Sequence, residues 1–375
     1  MYYQGDLKIA IVHDELTRRG GAEIVLEELL RLFPKADIYT LYAGKQPQIK
    51  IDNETKDVKT SYLQKAPLWF KRHPSRLLLA LPHAAEQFDL SAYNLVISSS
   101  SAFSKAVVTR VNVMHLCYCH TPTRYLWDAT HEVLKRNKSI LVWPARFILH
   151  YLRIVDYAAA QRVDKFIANS VYTKKRIKSY YRRNSEVIYP PIDTTFFTPS
   201  ATENEYQNKY FLCVGRLSQA KHYDQAVRVS SKLGMQLIVI GRGRDNANLR
   251  KHANNKVKFI NNVTKEELRT YYRQARALIQ TGVEDFGMAS AESLACGTPV
   301  IALGRGGAQE IIDDGVTGVL YEDQTDEALA DAIRRFTDIE KKFKRGILQS
   351  SVLKFSTHNW QEKIINKVVK DQIKT

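Results

Sequence analysis

Two glutamates in the segment VEDFGMASAESLACGTPVIA, Glu284 and Glu292, stand with seven residues between them. A helix that begins near Met288 places Glu292 in its first turns and leaves Glu284 on the loop ahead of it. Both carboxylates then reach one ligand arriving at the helix N-terminus. Phe286, Gly287 and Met288 supply backbone N–H groups, unpaired at the start of a helix, for sugar hydroxyls or phosphate oxygens. The competing reading is a solvated loop carrying two unrelated glutamates.

A second group lies in VGRLSQAKHYDQA, with Arg216 just past a strand end and Lys221 at the start of a helix. Two cations at that spacing suit a diphosphate and offset the charge that grows on it as a bond to it breaks. Against this, the chain holds 56 Lys and Arg, and a surface pair is ordinary. In the first half, Gly20 and Gly21 join a strand to a helix, where the lack of a side chain lets the backbone approach an anion. His120 ends the strand HLCYCH and is followed by Thr121, Pro122, Arg124 and Trp127. A hydrogen bond from it to a sugar competes with a structural role. Gly241 opens GRGRD after another strand, where it would pack beside a nucleotide, and Val263 closes VKFINNV. Cys117, Cys119 and His120 lack a fourth partner at zinc spacing, and no metal site is read there.

Together these segments resemble the retaining glycosyltransferases of family 4. Their GT-B fold is α/β, with two Rossmann-like domains facing across a cleft. The resemblance runs from the Gly20–Gly21 loop to the helix of Trp360 and is most specific over residues 115–128 and 284–303. It implies that Glu284 contacts the donor sugar ring and Glu292 the ribose hydroxyls. It implies further that Arg216 and Lys221 bind the donor diphosphate where other transferases hold a metal ion, and that Gly20 and Gly21 face the donor phosphate and the acceptor. The backbone of Val263 falls where the family meets the base, and His120 holds the donor sugar. No cofactor or metal is implied; the donor substrate is a nucleotide-diphosphate sugar, used with retention of configuration. The HTPTRYLWD and IVHD text is similar to the mannosyltransferase branch of bacterial and archaeal surface-polysaccharide synthesis. That favours GDP-mannose as donor, leaves a UDP-sugar open, and implies a lipid-linked or polysaccharide acceptor.

Three rival readings keep the fold and change the function. A sugar-nucleotide epimerase would release sugar and nucleotide without an acceptor. A phosphorylase would need a pyridoxal-binding lysine context, which the sequence lacks. A non-catalytic membrane-surface binding protein would have no use for the Glu284–Glu292 and Arg216–Lys221 pairs.

The elements that position these residues are short apolar runs alternating with helical periodicity, the pattern of doubly wound parallel sheets. LKIAIVHD, ADIYTLYA, NLVISSS, HLCYCH and KFIANS read as strands of a first sheet. Pro190, Pro191 and Pro199 then mark a linker near residues 190–208. The pattern restarts with YFLCVGR, MQLIVIGRG, VKFINNV, ALIQT and PVIAL, and turns helical beyond Asp326. The expected domains are residues 1–195, which grip the acceptor, and 196–355, which bind the donor. A last segment, 356–375, is a helix expected to pack back on the first domain through Ile364, Ile365, Val368 and Val369. Open α/β sheets bind ligands at the carboxyl ends of their strands, so two facing sheets make their cleft the site.

At 375 residues and 44% hydrophobic, the chain has the composition of ordinary globular domains, which excludes collagenous, disordered and disulfide-scaffold classes. Four cysteines, a start without secretory character and no apolar run of membrane-spanning length predict a cytoplasmic protein. The net charge of +17 admits nucleic acid, an anionic membrane surface or phosphorylated small molecules. Between Lys135 and Arg176 ten Lys and Arg face only Asp156 and Asp164, interleaved with Trp143, Phe147, Ile148, Leu149, Tyr151 and Leu152; Leu63–Pro82 has the same mixture. Both segments resemble interfacial helices on acidic lipid, which predicts peripheral attachment to the inner face of the membrane. No zinc-finger or RNP-type pattern accompanies the charge, and nucleic acid is not expected as a partner.

Overall fold

The computed structural model describes residues 7–52, 54–67, 77–131, 134, 142–200 and 210–372. The linker reading beyond residue 200, residues 68–76 of the first basic segment, and Lys135, Arg136 and Lys138 of the second fall outside these. The chain forms two compact units, residues 1–189 with 361–375, and residues 190–360.

In the first unit seven parallel strands make one sheet. They are β1 (Ile9–Leu16), β2 (Asp37–Ala43), β5 (Lys59–Thr60), β6 (Leu95–Ser100), β7 (Met114–Cys119), β8 (Lys165–Ala168) and β9 (Ser185–Val187), in the order β5-β2-β1-β6-β7-β8-β9. A hairpin of β3 (Gln48–Ile51) and β4 (Glu54–Asp57) stands apart from it. The opening residues Ile9 to Val12 are buried, as a central parallel strand requires. The following helix, Gly21–Leu32, turns Val25, Leu26, Leu29 and Leu30 inward at helical spacing. Because β1 lies between β2 and β6, the sheet reverses direction at its carboxyl end, where open α/β sheets leave a ligand crevice. The terminal helix, Thr357–Gln372, buries Ile364 and Val368 and leaves Val369 exposed. From residue 361 onward it counts with the first unit, and Lys367 pairs with Glu186 at 3.0 Å.

The second unit repeats the plan with six parallel strands: β10 (Tyr210–Val214), β11 (Leu237–Ile240), β12 (Val257–Ile260), β13 (Ala275–Gln280), β14 (Val300–Leu303) and β15 (Gly318–Tyr321), ordered β12-β11-β10-β13-β14-β15. The reversal falls between β10 and β13. The helix Lys265–Gln274 starts on a full capping box, Thr264 with Glu267. Strand β15, the β3–β4 hairpin and the short strands β5 and β9 are additions to the sequence reading; each is short or carries polar residues, so its apolar signal is weak.

Candidate functional site

The second unit gathers its chemistry where its sheet reverses. Arg216 lies two residues past β10 and is exposed; Lys221 ends a 3₁₀ turn, Gln219–Lys221, and the helix proper starts at Tyr223. His222 between them adopts the left-handed conformation (φ 50°), so Lys221, expected at the start of the helix, sits on a turn two residues ahead of it. The loop after β13 lies directly on that turn. Thr281 Oγ1 donates to the carbonyls of Lys221 and His222, at 2.9 and 2.8 Å. A Cβ on Gly282 would stand 2.5 Å from the carbonyl oxygen of Ala220, so only glycine permits the contact. The result is an ion pair between Lys221 Nζ and Glu284 Oε1, both partly exposed to solvent.

Glu284 is clamped from the other side by the turn after β14. The Gly307 N–H donates to the Glu284 carbonyl at 2.9 Å. A Cβ on Gly307 would come within 2.5 Å of Phe286 Cα, and one on Gly306 within 2.9 Å of the Val283 side chain. Gly306 and Gly307 were not singled out in the sequence; the signal was there as GRGG directly after a strand. The helix Met288–Ala295 begins where expected, with Gly287 (φ 107°) as its N-cap. The N–H groups of Gly287, Met288 and Ala289 have no partner among the described residues and point out of the helix start. Glu292 accepts from the Tyr272 hydroxyl at 2.9 Å. The Phe286 side chain is buried edge-on against Phe355, leaving only its backbone for a ligand.

Gly241 stands at a close approach between two loops. A Cβ there would lie 2.9 Å from the carbonyl carbon of Gly215, so Gly241 lets the loop after β11 press against the loop that carries Arg216. Val263 is half-buried and directly precedes the N-cap Thr264.

The first unit holds a buried polar chain at the carboxyl ends of β1, β6 and β7. His120 follows β7, anchored by its N–H to the Ser100 carbonyl at 2.8 Å. Its Nε2 lies 2.8 Å from Ser99 Oγ, which is 3.0 Å from His13 Nδ1; His13 Nε2 in turn lies 3.5 Å from Glu23 Oε1. Burial pushes His120 down to about 4, with the neighbouring His13 adding to the effect, so its imidazole is neutral. His13, Glu23 and Ser99 escaped the sequence reading, since three residues far apart in the chain give no local pattern. Gly20 is the N-cap of the helix Gly21–Leu32 in extended conformation, and the space beside it is taken by the Glu23 carboxylate, 3.1 Å from where a Cβ would stand.

The residues after His120 mostly build structure. Asp156, fully buried, accepts from Lys105 Nζ (2.6 Å), Thr123 Oγ1 (2.8 Å), Trp127 Nε1 (2.8 Å) and the Tyr181 hydroxyl (2.8 Å). Arg176, buried, donates to Thr121 Oγ1 at 2.6 Å and pairs with Asp128 at 2.9 Å. This corrects part of the charge reading. Arg176 faces inward, Arg153 donates to the Leu126 carbonyl and Arg162 pairs with Glu86, so none of the three is free for a surface partner. On the helix Val142–Arg162, Leu149 and Leu152 are buried, whereas Trp143 (68% exposed), Phe147 (70%), Tyr151 and Ile154 form an outward stripe. Burial pushes the Cys117 thiol up to about 12, and it is inert as a ligand or nucleophile; among the described residues no cluster suits a metal ion. No described helix is long and apolar enough to cross a membrane.

Residues 19–196 match the family model Glycosyltransferase Family 4, and residues 197–347 match Glycosyl transferases group 1. D-inositol 3-phosphate glycosyltransferase of Mycolicibacterium smegmatis is 27% identical over 210 residues, 50% of this chain and 47% of that protein. The enzyme of the same name from Thermobifida fusca is 26% identical over 203 residues, 46% of each chain. The chain thus spans about half the length of the curated relatives it matches. Anabaena Alr3699/HepE, solved with UDP and glucose, superposes with a TM-score of 0.71 at 18% identity, over 97% of this chain and 99% of that one. Sucrose-phosphate synthase from Thermosynechococcus elongatus gives 0.71 at 17% identity, over 98% and 100%. These likenesses establish the fold as GT-B, two Rossmann-like domains.

Proposed function

We propose that this chain, which carries a family 4 glycosyltransferase domain followed by a group 1 glycosyl transferase domain, moves a hexose from a nucleotide-diphosphate sugar to an acceptor hydroxyl with retention of configuration. The observation that carries the reading is the Lys221–Glu284 pair, built by Gly282 and Gly307 beside three unpaired N–H groups at the start of the helix Met288–Ala295. Such a pair offers a cation to a diphosphate and a carboxylate to sugar hydroxyls from one fixed place. Arg216 and Lys221 offset the charge that grows on the leaving diphosphate, and the donor set at the helix start holds further oxygens. Glu292 takes the ribose hydroxyls, and neutral His120 accepts or donates a hydrogen bond at the sugar without bringing charge.

Two donors stand as alternatives with a specific support each. The sequence resemblance favours GDP-mannose; the complexes of the Anabaena neighbour hold UDP, UDP with glucose, or UDP-glucose. The acceptor we propose is a lipid-linked glycan met at an anionic membrane surface. What supports this is the exposed Trp143, Phe147, Tyr151 and Ile154 stripe, with the Arg146 guanidinium 5.5 Å from the Trp143 ring, in a chain of net charge +17. A thermal-shift panel of GDP-mannose and UDP-glucose, followed by nucleoside diphosphate release and flotation with vesicles containing acidic lipid, tests all three parts. Stabilisation by neither donor would sink the transferase reading, and failure to float would sink the membrane one.

A further inference from the structure

Ser99 Oγ stands between two imidazoles, 3.0 Å from His13 Nδ1 and 2.8 Å from His120 Nε2. A hydroxyl carries one proton, so to make both bonds it donates to one ring and accepts from the other. The two nitrogens facing it are thereby forced into opposite states. Beyond His13 stands Glu23. Burial works to raise its carboxyl, but the hydrogen bond with His13 leads the effects that offset this and leave it below the usual value, so it is a carboxylate that only accepts.

While His13 is neutral, the chain reads in one direction from that end. Glu23 accepts from His13 Nε2–H; the bare Nδ1 of neutral His13 accepts from the Ser99 hydroxyl; Ser99 Oγ accepts from His120 Nε2–H. His120 Nδ1 is then left bare, and it has no partner among the described residues. We infer that Glu23, His13 and Ser99 fix the tautomer of His120, so that while His13 is neutral the His120 Nδ1 is presented as a hydrogen-bond acceptor to a substrate hydroxyl. All three are positioning residues, and the inference rests on the reading of His120 as a substrate contact.

A consequence follows for protonation. A proton gained at His13 makes both its ring nitrogens donors, which turns the Ser99 hydroxyl toward His120 Nε2. His120 then gives up its Nε2 proton to solvent and takes one at Nδ1, becoming a donor where it had been an acceptor. The charged or titratable groups facing this chain are Glu23 from the helix Gly21–Leu32, Asp14 from β1 and the Tyr118 ring, 5.2 Å from His120. Asp14 is already committed, accepting the N–H groups of Ala102 and Ser104 at 2.9 and 2.7 Å.

The test is long-range proton–nitrogen correlation NMR on the ¹⁵N-histidine-labelled full chain between about pH 5.5 and 8.5, with His13 and His120 assigned among the ten histidines through His13→Gln and His120→Asn. The expected result is His120 as the Nε2–H form at high pH, passing to Nδ1–H with the midpoint of His13 protonation. In His13→Gln, whose amide accepts from Ser99, donates to Glu23 and does not titrate, His120 keeps Nε2–H throughout, and the acidic limb of the kcat/KM profile flattens. Ser99→Ala removes one methyl-sized hydroxyl from the core, uncouples the two rings and lowers kcat/KM about tenfold with nucleotide affinity unchanged. A His120 tautomer that ignores the His13 titration, or is unchanged in Ser99→Ala, overturns the inference. If the coupling is seen while the wild-type protein turns over no sugar nucleotide, the coupling stands and the transferase reading falls.

Discussion

Replacing Lys221 by Ala separates the energetics of the folded chain from those of its proposed reaction. In the ligand-free protein the side chain makes one ion pair, with Glu284, at a site where the two side chains are 28% and 19% exposed. A pair that accessible contributes about 1 kcal/mol. For a domain of 150–250 residues that loss lowers Tm by about 2–4 °C. If Lys221 also meets the diphosphate as its bond to the sugar breaks, its removal takes away a preorganised donor at the developing charge, worth about 10²–10³ in kcat. The expected outcome is thus a nearly intact melting curve beside a rate reduced at least a hundredfold, read as nucleoside diphosphate release under saturating donor. Glu284→Gln, made in parallel, keeps the shape and drops the charge. If the two residues act as a unit, the double variant loses less than the two single losses combined. A Lys221→Ala protein that turns over within about threefold of wild type refutes the argument, because the cation would then be absent from the transition state.

Gly307→Ala should reduce turnover strongly while the chain still folds, since the new methyl pushes on the Phe286 backbone and displaces Glu284; circular dichroism with initial rates checks both halves. Asp156→Asn leaves buried Lys105 without its counter-charge and should destabilise by about 3–5 kcal/mol, seen as a lower denaturant midpoint. Stability should also fall between pH 7 and 5. Burial holds His120 near 4 and His115 near 3, below the ordinary value of about 6.5 in the unfolded chain, so the unfolded state binds the extra protons in this window and acid favours it. Each histidine contributes roughly 2 kcal/mol between those two pH values, and a melting series that rises or stays flat on acidification contradicts this.

The fold was largely legible because parallel strands are buried on both faces and write themselves as apolar runs. IAIV, LVIS and LIVI show this at β1, β6 and β11. What stayed illegible was short or edge structure such as β9 and the β3–β4 hairpin, where burial is partial and the residues are mixed. At the candidate site, Lys221 and Glu284, which the structure brings together, each stood out within a local segment of the sequence. The Lys221–Glu284 pair itself did not, for it depends on Gly282 allowing one loop to rest on another. Ser99 was hidden for the same reason: a serine at a strand end acquires meaning only when β1 and β7 bring His13 and His120 to either side of it.

The segment HTPTRYLWD illustrates how far a recognisable motif is from a list of functional residues. Of its side chains, Thr123 and Trp127 spend their hydrogen bonds on Asp156, Thr121 and Asp128 bind Arg176, and His120 alone keeps a ring nitrogen without a partner. The constraint on the rest is to hold the end of β7 rigid, through a carboxylate that satisfies four donors in a dry interior. A substitution at Thr123 or Trp127 should therefore act on His120 only through its position, lowering stability and rate together. Substitution of His120 itself removes a buried ring and its hydrogen bond to Ser99, so it should cost about 1–3 kcal/mol of stability while lowering the rate by more than that loss of folded protein explains.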